Sequence, residues 1–157
     1  MTTILRAEPE DADAMLAIQK RSFEAVARAV QDWDIPPMTE TLESVLEHIE
    51  SACVLKAVDE GRVVGSIRGN FRGTVCSIHR LSVDQAYRGN GLGSALLRAI
   101  EQAHPEASGF ELTTNAAMEA NVRFYLRHGY RVEAHVRYAE TIMLVQMAKP
   151  AAAAAGA

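Results

Sequence analysis

The chain has 157 residues, 48% of them apolar and 23% charged, with a formal net charge of −4; this length suits a single domain able to bury most of its unfolded surface. The acidic balance argues against a nucleic-acid binder. No apolar run approaches the roughly 20 residues that span a bilayer, and the opening Met1–Glu8 segment lacks the basic and long apolar regions of a secretory signal.

Cys53 and Cys76 lie in apolar, strand-like stretches. They read as reduced, buried thiols of a cytoplasmic protein rather than a disulfide framework. The histidines are scattered without metal-ligand spacing, so no metal is expected.

In chain order, Ile4–Ala7 predicts a short strand. Pro9 and the acidic Glu10, Asp11 and Asp13 start a helix through Ala14, Met15, Ala17, Ile18 and Phe23. Pro36 and Pro37 break it. Thr39, followed by Glu40 and Glu43, is expected to open a second helix with Leu42, Val45, Leu46 and Ile49 on its apolar face. Cys53–Val58 and Arg62–Arg68 read as strands joined by a hairpin turn at Asp59-Glu60-Gly61. Thr74–Val83 is a further strand. After the glycine-rich turn that follows, Leu92, Ala95, Leu96, Ala99, Ile100 and Ala103 mark one face of a helix. Phe110–Thr114 is a strand, and Met118–His128 a helix stopped at Gly129. Tyr130–Tyr138 and Thr141–Met147 close the chain as a strand pair, whose edge suits a homodimer. The order β-α-α-β-β-β-α-β-α-β-β is a mixed α/β arrangement. Residues 1–149 read as one domain and 150–157 as an alanine-rich tail, expected to be disordered.

The turn Arg88-Gly89-Asn90-Gly91-Leu92-Gly93-Ser94 is the most informative segment. A glycine-rich turn opening a helix leaves backbone N–H groups unpaired and outward, with the helix dipole behind them. That is an anion site, and Arg88 adds a full positive charge, so a phosphate-bearing ligand is expected. A P-loop would need a lysine near its end, and a Rossmann fingerprint a G-x-G-x-x-G after a first strand; neither pattern is present.

With elements in this order, the chain resembles the GNAT (Gcn5-related N-acetyltransferase) superfamily from Ile4 to Lys149. The acetyl-CoA motif of that family, R/Q-x-x-G-x-G/A, reads here as Arg88 to Gly93 after the strand Leu81-Ser82-Val83. The closing-helix motif N-x-x-x-Y-x-x-x-G-[FY] reads as Asn121, Tyr125 and Gly129-Tyr130. The resemblance implies a mixed, mostly antiparallel sheet flanked by helices, with acetyl-CoA as cosubstrate in a V-shaped gap between the Leu81–Val83 and Phe110–Thr114 strands. The pantetheine arm, with its peptide-like amides, would pair with the edge of Leu81, Ser82 and Val83. The amides of Arg88, Gly89, Asn90, Gly91, Leu92, Gly93 and Ser94 would cradle the phosphates. Asn121 would bond the cofactor. Tyr125 would stand near the thioester sulfur, as general acid or as hydrogen-bond donor.

The implied activity is transfer of an acetyl group to a primary amine of a small molecule or peptide, directly within a ternary complex. The attacking amine must lose a proton. Members of the family use a strand glutamate or a water chain, and the strand Val75–His79 holds no glutamate. His79 titrates near neutral pH and, two residues before Leu81, is expected on the same face. Glu111 on the neighbouring strand is a second candidate base. By the same resemblance, Phe23, Trp33 and the Pro36-Pro37 loop fall where the acceptor-site wall is expected. A non-catalytic acyl-CoA-binding module on the same fold is the alternative reading.

Overall fold

The computed structural model describes residues 1–152, and the tail from 153 onward lies outside the described residues. Strand β1 (Thr2–Arg6) leads into a short 3-10 turn at Pro9–Asp11, where the Asp11 carboxylate accepts from the Glu8 N–H at 2.7 Å. Helix α1 (Ala12–Val30) follows. The prolines do not end α1 as expected: it stops at Val30, where Gln31 turns left-handed at φ 56°, and the two prolines instead begin a one-turn helix, α2 (Pro36–Thr39). A proline in the first turn lacks only an N–H that would have no partner there. Helix α3 (Leu42–Ser51) is capped by Thr41, whose hydroxyl accepts from the Ser44 N–H at 3.1 Å, rather than by Thr39. Only Val45 of its expected apolar face is fully buried, and Leu42 and Leu46 are exposed.

Strands β2 (Cys53–Asp59) and β3 (Arg62–Arg72) form the expected hairpin. Its turn residues Glu60 and Gly61 both have positive φ, 50° and 75°, the conformation that matches the twist of paired strands. Strand β4 (Val75–Val83), helix α4 (Leu92–Gln102), strand β5 (Gly109–Asn115) and helix α5 (Glu119–Arg127) come next. Strands β6 (Arg131–Ala139) and β7 (Ile142–Pro150) complete a seven-stranded sheet in the order β1-β2-β3-β4-β5-β7-β6. Every neighbour pairs antiparallel except β4 and β5.

The main core lies where α4 packs on the sheet. Leu96, Leu97 and Ile100 of α4 meet Ala57, Val64, Ile67 and Cys76, all within 1% of full burial. Close approach is what Gly65 provides: a Cβ there would stand 3.0 Å from Leu96 Cδ1 and 3.1 Å from the Ser82 carbonyl oxygen. A smaller cluster, Val26, Ala27, Val30, Ile35 and Ile142, ties α1 to the start of β7. No helix among the described residues is long and apolar enough to cross a membrane.

Candidate active site

The site begins with a failure of strand pairing. β4 and β5 run parallel and pair only from Val75–Ser77 to Gly109–Glu111. Beyond that, β4 stays bonded to β3 and β5 to β7, so the two strands part while each remains anchored on its outer side. The backbone of Leu81, Ser82 and Val83 therefore faces the gap without a strand partner on that side. A bulge accompanies the parting. The β3–β4 register shifts between Ser66 and Arg68, and Arg80 takes φ 58°, the left-handed region. This extra residue interrupts the alternation expected to place His79 and Leu81 on one face.

At the open end of the gap, Asp84 accepts from the Ala86 N–H at 3.1 Å and caps a 3-10 turn over Gln85–Tyr87. Gly89 and Gly91 then adopt φ 82° and 79°. Gly91 is the N-cap of α4, and the first helical bond runs from the Ala95 N–H to its carbonyl oxygen at 3.0 Å. The N–H groups from Gly89 to Ser94 donate to no protein acceptor among the described residues. Gly93 plays a different part. Phe124 of α5 lies 3.5 Å, and Val83 3.9 Å, from where its Cβ would sit, so the turn, the end of β4 and α5 converge. Arg88 is held by its Nε to the Val83 carbonyl oxygen and by Nη2 to Ser22 Oγ, both at 3.4 Å, and stays exposed. Amides, helix terminus and guanidinium together make a site for an anion.

Helix α5 carries Asn121, exposed, and Tyr125, half-buried against the main core. Its end is fixed by a Schellman arrangement: the Tyr130 N–H donates to the Tyr125 carbonyl oxygen and the Gly129 N–H to that of Leu126, both at 3.1 Å, with Gly129 at φ 91°. Tyr130 is buried and donates its hydroxyl to Glu101 Oε2 at 2.6 Å, while Lys149 reaches Glu101 Oε1 at 3.0 Å. The Gly129-Tyr130 pair thus locks α5 to α4 and β7 and sets the position of Tyr125. The Tyr125 ring packs edge-on to Phe124 and Tyr130, at 5.2 and 5.9 Å between centroids. Burial pushes its phenol up to about 12, and its hydroxyl has no hydrogen-bond partner among the described residues.

On the α1–α3 side of the sheet, a cleft of about 590 Å³ opens beside β4, lined by Glu40, Ser44, His48, Arg68, His79 and Arg80 among others. Glu40 and Arg68 are both buried, and their ion pair is 2.9 Å long. Gln19 Nε2 donates to Glu40 Oε1 at 2.8 Å and Ser44 Oγ to Oε2 at 2.7 Å. Burial alone would raise the Glu40 carboxyl. The bonds from Gln19, Ser44 and Arg68, with the Arg68 charge, outweigh it and hold the group at about 2. His79 faces the cleft mouth with Nε2 3.0 Å from Ser77 Oγ. Partial enclosure, then the charges of Arg68, Arg80 and His48, push its imidazole down to about 4.

Of the other candidates, Glu111 lies at the closed end of the gap, paired with Ser77, and its carboxylate is held by Arg72 at 2.9 Å. Pro36 lines the cleft, whereas Phe23 packs against the smaller core cluster and Trp33 is half exposed. Cys76 is fully buried, and burial raises its thiol to about 12, which makes it packing rather than a nucleophile. Sequence reading missed Glu40 and Arg68. The available signal was an arginine closing the apolar run Val63–Ile67, a position that calls for an opposite charge; the partner lies 28 residues away. Among the described residues, no group of three or more histidines, cysteines or carboxylates is arranged to hold a metal.

Comparison with known proteins agrees with this architecture. Residues 12–130 match the model of the acetyltransferase (GNAT) family. The chain is 34% identical over 107 residues to YjcF of Bacillus subtilis (strain 168), described as an uncharacterized N-acetyltransferase, covering 66% of this chain and 70% of that one. Its structure resembles the Escherichia coli ribosomal-protein-S18-alanine N-acetyltransferase, with a TM-score of 0.81 at 18% identity over 98% of this chain and 96% of that one. It also resembles the PaiA N-acetyltransferase of Thermoplasma acidophilum, solved in complex with coenzyme A, with a TM-score of 0.80 at 17% identity over 96% and 99%. Fold, glycine turn and family match converge, and the chain belongs to the acetyltransferase (GNAT) family.

Proposed function

We propose that this protein transfers the acetyl group of acetyl-CoA to a primary amine by direct attack within a ternary complex. The observation that carries the reading is the parted β4–β5 pair, opening onto six consecutive unpaired amides from Gly89 to Ser94. The pyrophosphate would lie on those amides beside Arg88, and the pantetheine arm would add to the free edge of Leu81, Ser82 and Val83. Asn121 would hold the cofactor from the exposed face of α5. A relative of the same fold solved with coenzyme A supports the choice of cofactor.

In the reaction the amine nitrogen bonds to the acetyl carbon, the carbon–sulfur bond breaks, and coenzyme A leaves as thiolate. Tyr125 is suited to donate a hydrogen bond to that sulfur. Full proton transfer from a phenol near 12 to a thiolate near 8.5 would be uphill by roughly 5 kcal/mol. The bond that strengthens as charge develops is therefore the useful one. Tyr125→Phe is expected to lower kcat by about tenfold to a hundredfold while changing acetyl-CoA affinity by less than about twofold. Steady-state and binding measurements with one acceptor check this; equal kcat in the two proteins would remove the role.

His79 is neutral at pH 7 and is available as a proton acceptor, directly or through water. Being held near 4, it gives no inflection around neutrality. The expected profile is kcat/KM rising about tenfold per pH unit between roughly pH 6 and 8, set by the fraction of unprotonated amine. An inflection near 6.5 that vanishes in His79→Ala would overturn this assignment. Turnover of any amine in a broad screen separates the enzyme from an acyl-CoA-binding module, which would bind acetyl-CoA and release no free thiol.

A further inference from the structure

The cleft beside β4 holds two guanidinium groups and a single carboxylate. Arg68 pairs with Glu40 through Nη2, at 3.2 and 2.9 Å from the two carboxylate oxygens. Arg80 stands apart. Only its Nε reaches Glu40, at 3.4 Å, and its two terminal nitrogens donate to no protein group among the described residues. Its side chain keeps 22% of its surface open to the cleft. With His79 neutral, Glu40 cancels one of the two guanidinium charges and the cleft retains the other.

The backbone adds a second, independent observation. Arg80 is the extra residue of the bulge and adopts φ 58°, a region disfavoured for any side chain with a Cβ. Bulges re-aim side chains, and strained residues of this kind collect at ligand clamps. Here the re-aimed residue sits next to the strand edge Leu81–Val83, where the acyl donor would end. A guanidinium with its terminal edge free matches the planar, two-oxygen geometry of a carboxylate. The same excess charge repels a second ammonium.

We infer that the acceptor is a small primary amine that also carries a carboxylate, with Arg80 binding the carboxylate and so turning the amine toward the thioester. This rests on the reading of the cleft as the acceptor site of an acetyl-CoA-dependent enzyme. Two sources share this chemistry, a free amino acid and a short peptide with its C-terminal carboxylate in the cleft.

The test compares matched sets of amines: an amino acid, its decarboxylated amine, its amide, and a dipeptide ending in the same residue. Each is titrated calorimetrically into protein saturated with coenzyme A, and each is assayed for turnover with acetyl-CoA. Carboxylate-bearing members are expected to bind about tenfold or more tightly than their decarboxylated counterparts. The ratio should fall toward one in Arg80→Gln and recover in part in Arg80→Lys. The free amino acid and dipeptide arms tell the two sources apart. Equal binding of a matched pair by the parent protein overturns the inference, as does a carboxylate preference that survives Arg80→Gln. Equal turnover of both members keeps the acetyltransferase reading and removes only this one. Carboxylate-selective binding without turnover of any member keeps Arg80 as a carboxylate site and overturns its role in orienting an acceptor. The comparison within the parent protein needs no variant, so a poorly folding Arg80 substitution leaves the inference testable.

Discussion

Replacing Gly91 with valine will weaken acetyl-CoA binding by about a hundredfold while leaving the domain folded. Gly91 caps α4 at φ 79°. A β-branched residue there must either hold a conformation costing on the order of 1–3 kcal/mol or swing the turn into another one. Swinging it disperses the run of amides that makes the anion site. The core is spared, because a Cβ on Gly91 meets nothing within 4 Å and only Leu92 of the buried residues of α4 adjoins it, with Leu96, Leu97 and Ile100 further along. Gly91→Ala carries the same backbone conflict with a smaller group and should fall between parent and valine variant. Calorimetric titration together with a thermal melt separates loss of the site from loss of the fold. An unchanged dissociation constant in Gly91→Val would remove the phosphate cradle from this turn.

Glu40→Ala is expected to cost about 3–5 kcal/mol of stability, the range for removing one partner of a buried ion pair. It strands Arg68, which is buried, and takes from Arg80 its one carboxylate partner among the described residues. Replacing both members, as Glu40→Leu with Arg68→Met, should recover most of the loss, since the cost comes from the orphaned charge rather than from the missing attraction. The effect depends on pH with a definite sign. Glu40 sits near 2 in the folded protein against an ordinary value of 4.5. Between these values the unfolded chain binds the proton more readily than the folded one. The contribution is therefore fully present above about 4.5, declines as pH falls, and is gone below about 2. Urea midpoints of parent and Glu40→Gln should differ by a constant amount from pH 7 down to about 5 and converge in stronger acid. A gap that stays constant into that range would show that Glu40 is not held as an anion by its neighbours.

What could be read in the sequence was what local chemistry decides. The glycine turn before α4, the Glu60-Gly61 hairpin and the stop of α5 at Gly129 each follow from backbone requirements within a few residues, and all three stand where expected. The gap between β4 and β5 came only through family resemblance, because strand parting depends on partners on both outer sides. Thr39 and Thr41 compete for the same cap, and the choice turns on the one-turn helix that the two prolines start. The bulge at Arg80 had no signal, since nothing local marks a non-glycine residue for positive φ. The Glu40–Arg68 pair joins α2's exit to β3, and the hydrogen bonds from Gln19 and Ser44 arrive from two further helices. Such a cluster belongs to the assembled fold, and so in large part does the low imidazole of His79, which derives from enclosure, from Arg68 and His48 brought there by other parts of the chain, and from its neighbour Arg80.

The central claim is that the gap beside β4 binds acetyl-CoA for transfer. Its most direct test is calorimetric titration of acetyl-CoA into the purified protein, with desulfo-CoA and ATP as comparisons. Binding in the micromolar range, about −8 kcal/mol, with desulfo-CoA close behind and little response to ATP, is the predicted result. It would mean that the protein reads the whole cofactor, arm as well as phosphates. Absence of acetyl-CoA binding, or equal binding of ATP, would contradict the account and reduce the glycine turn to the start of a helix.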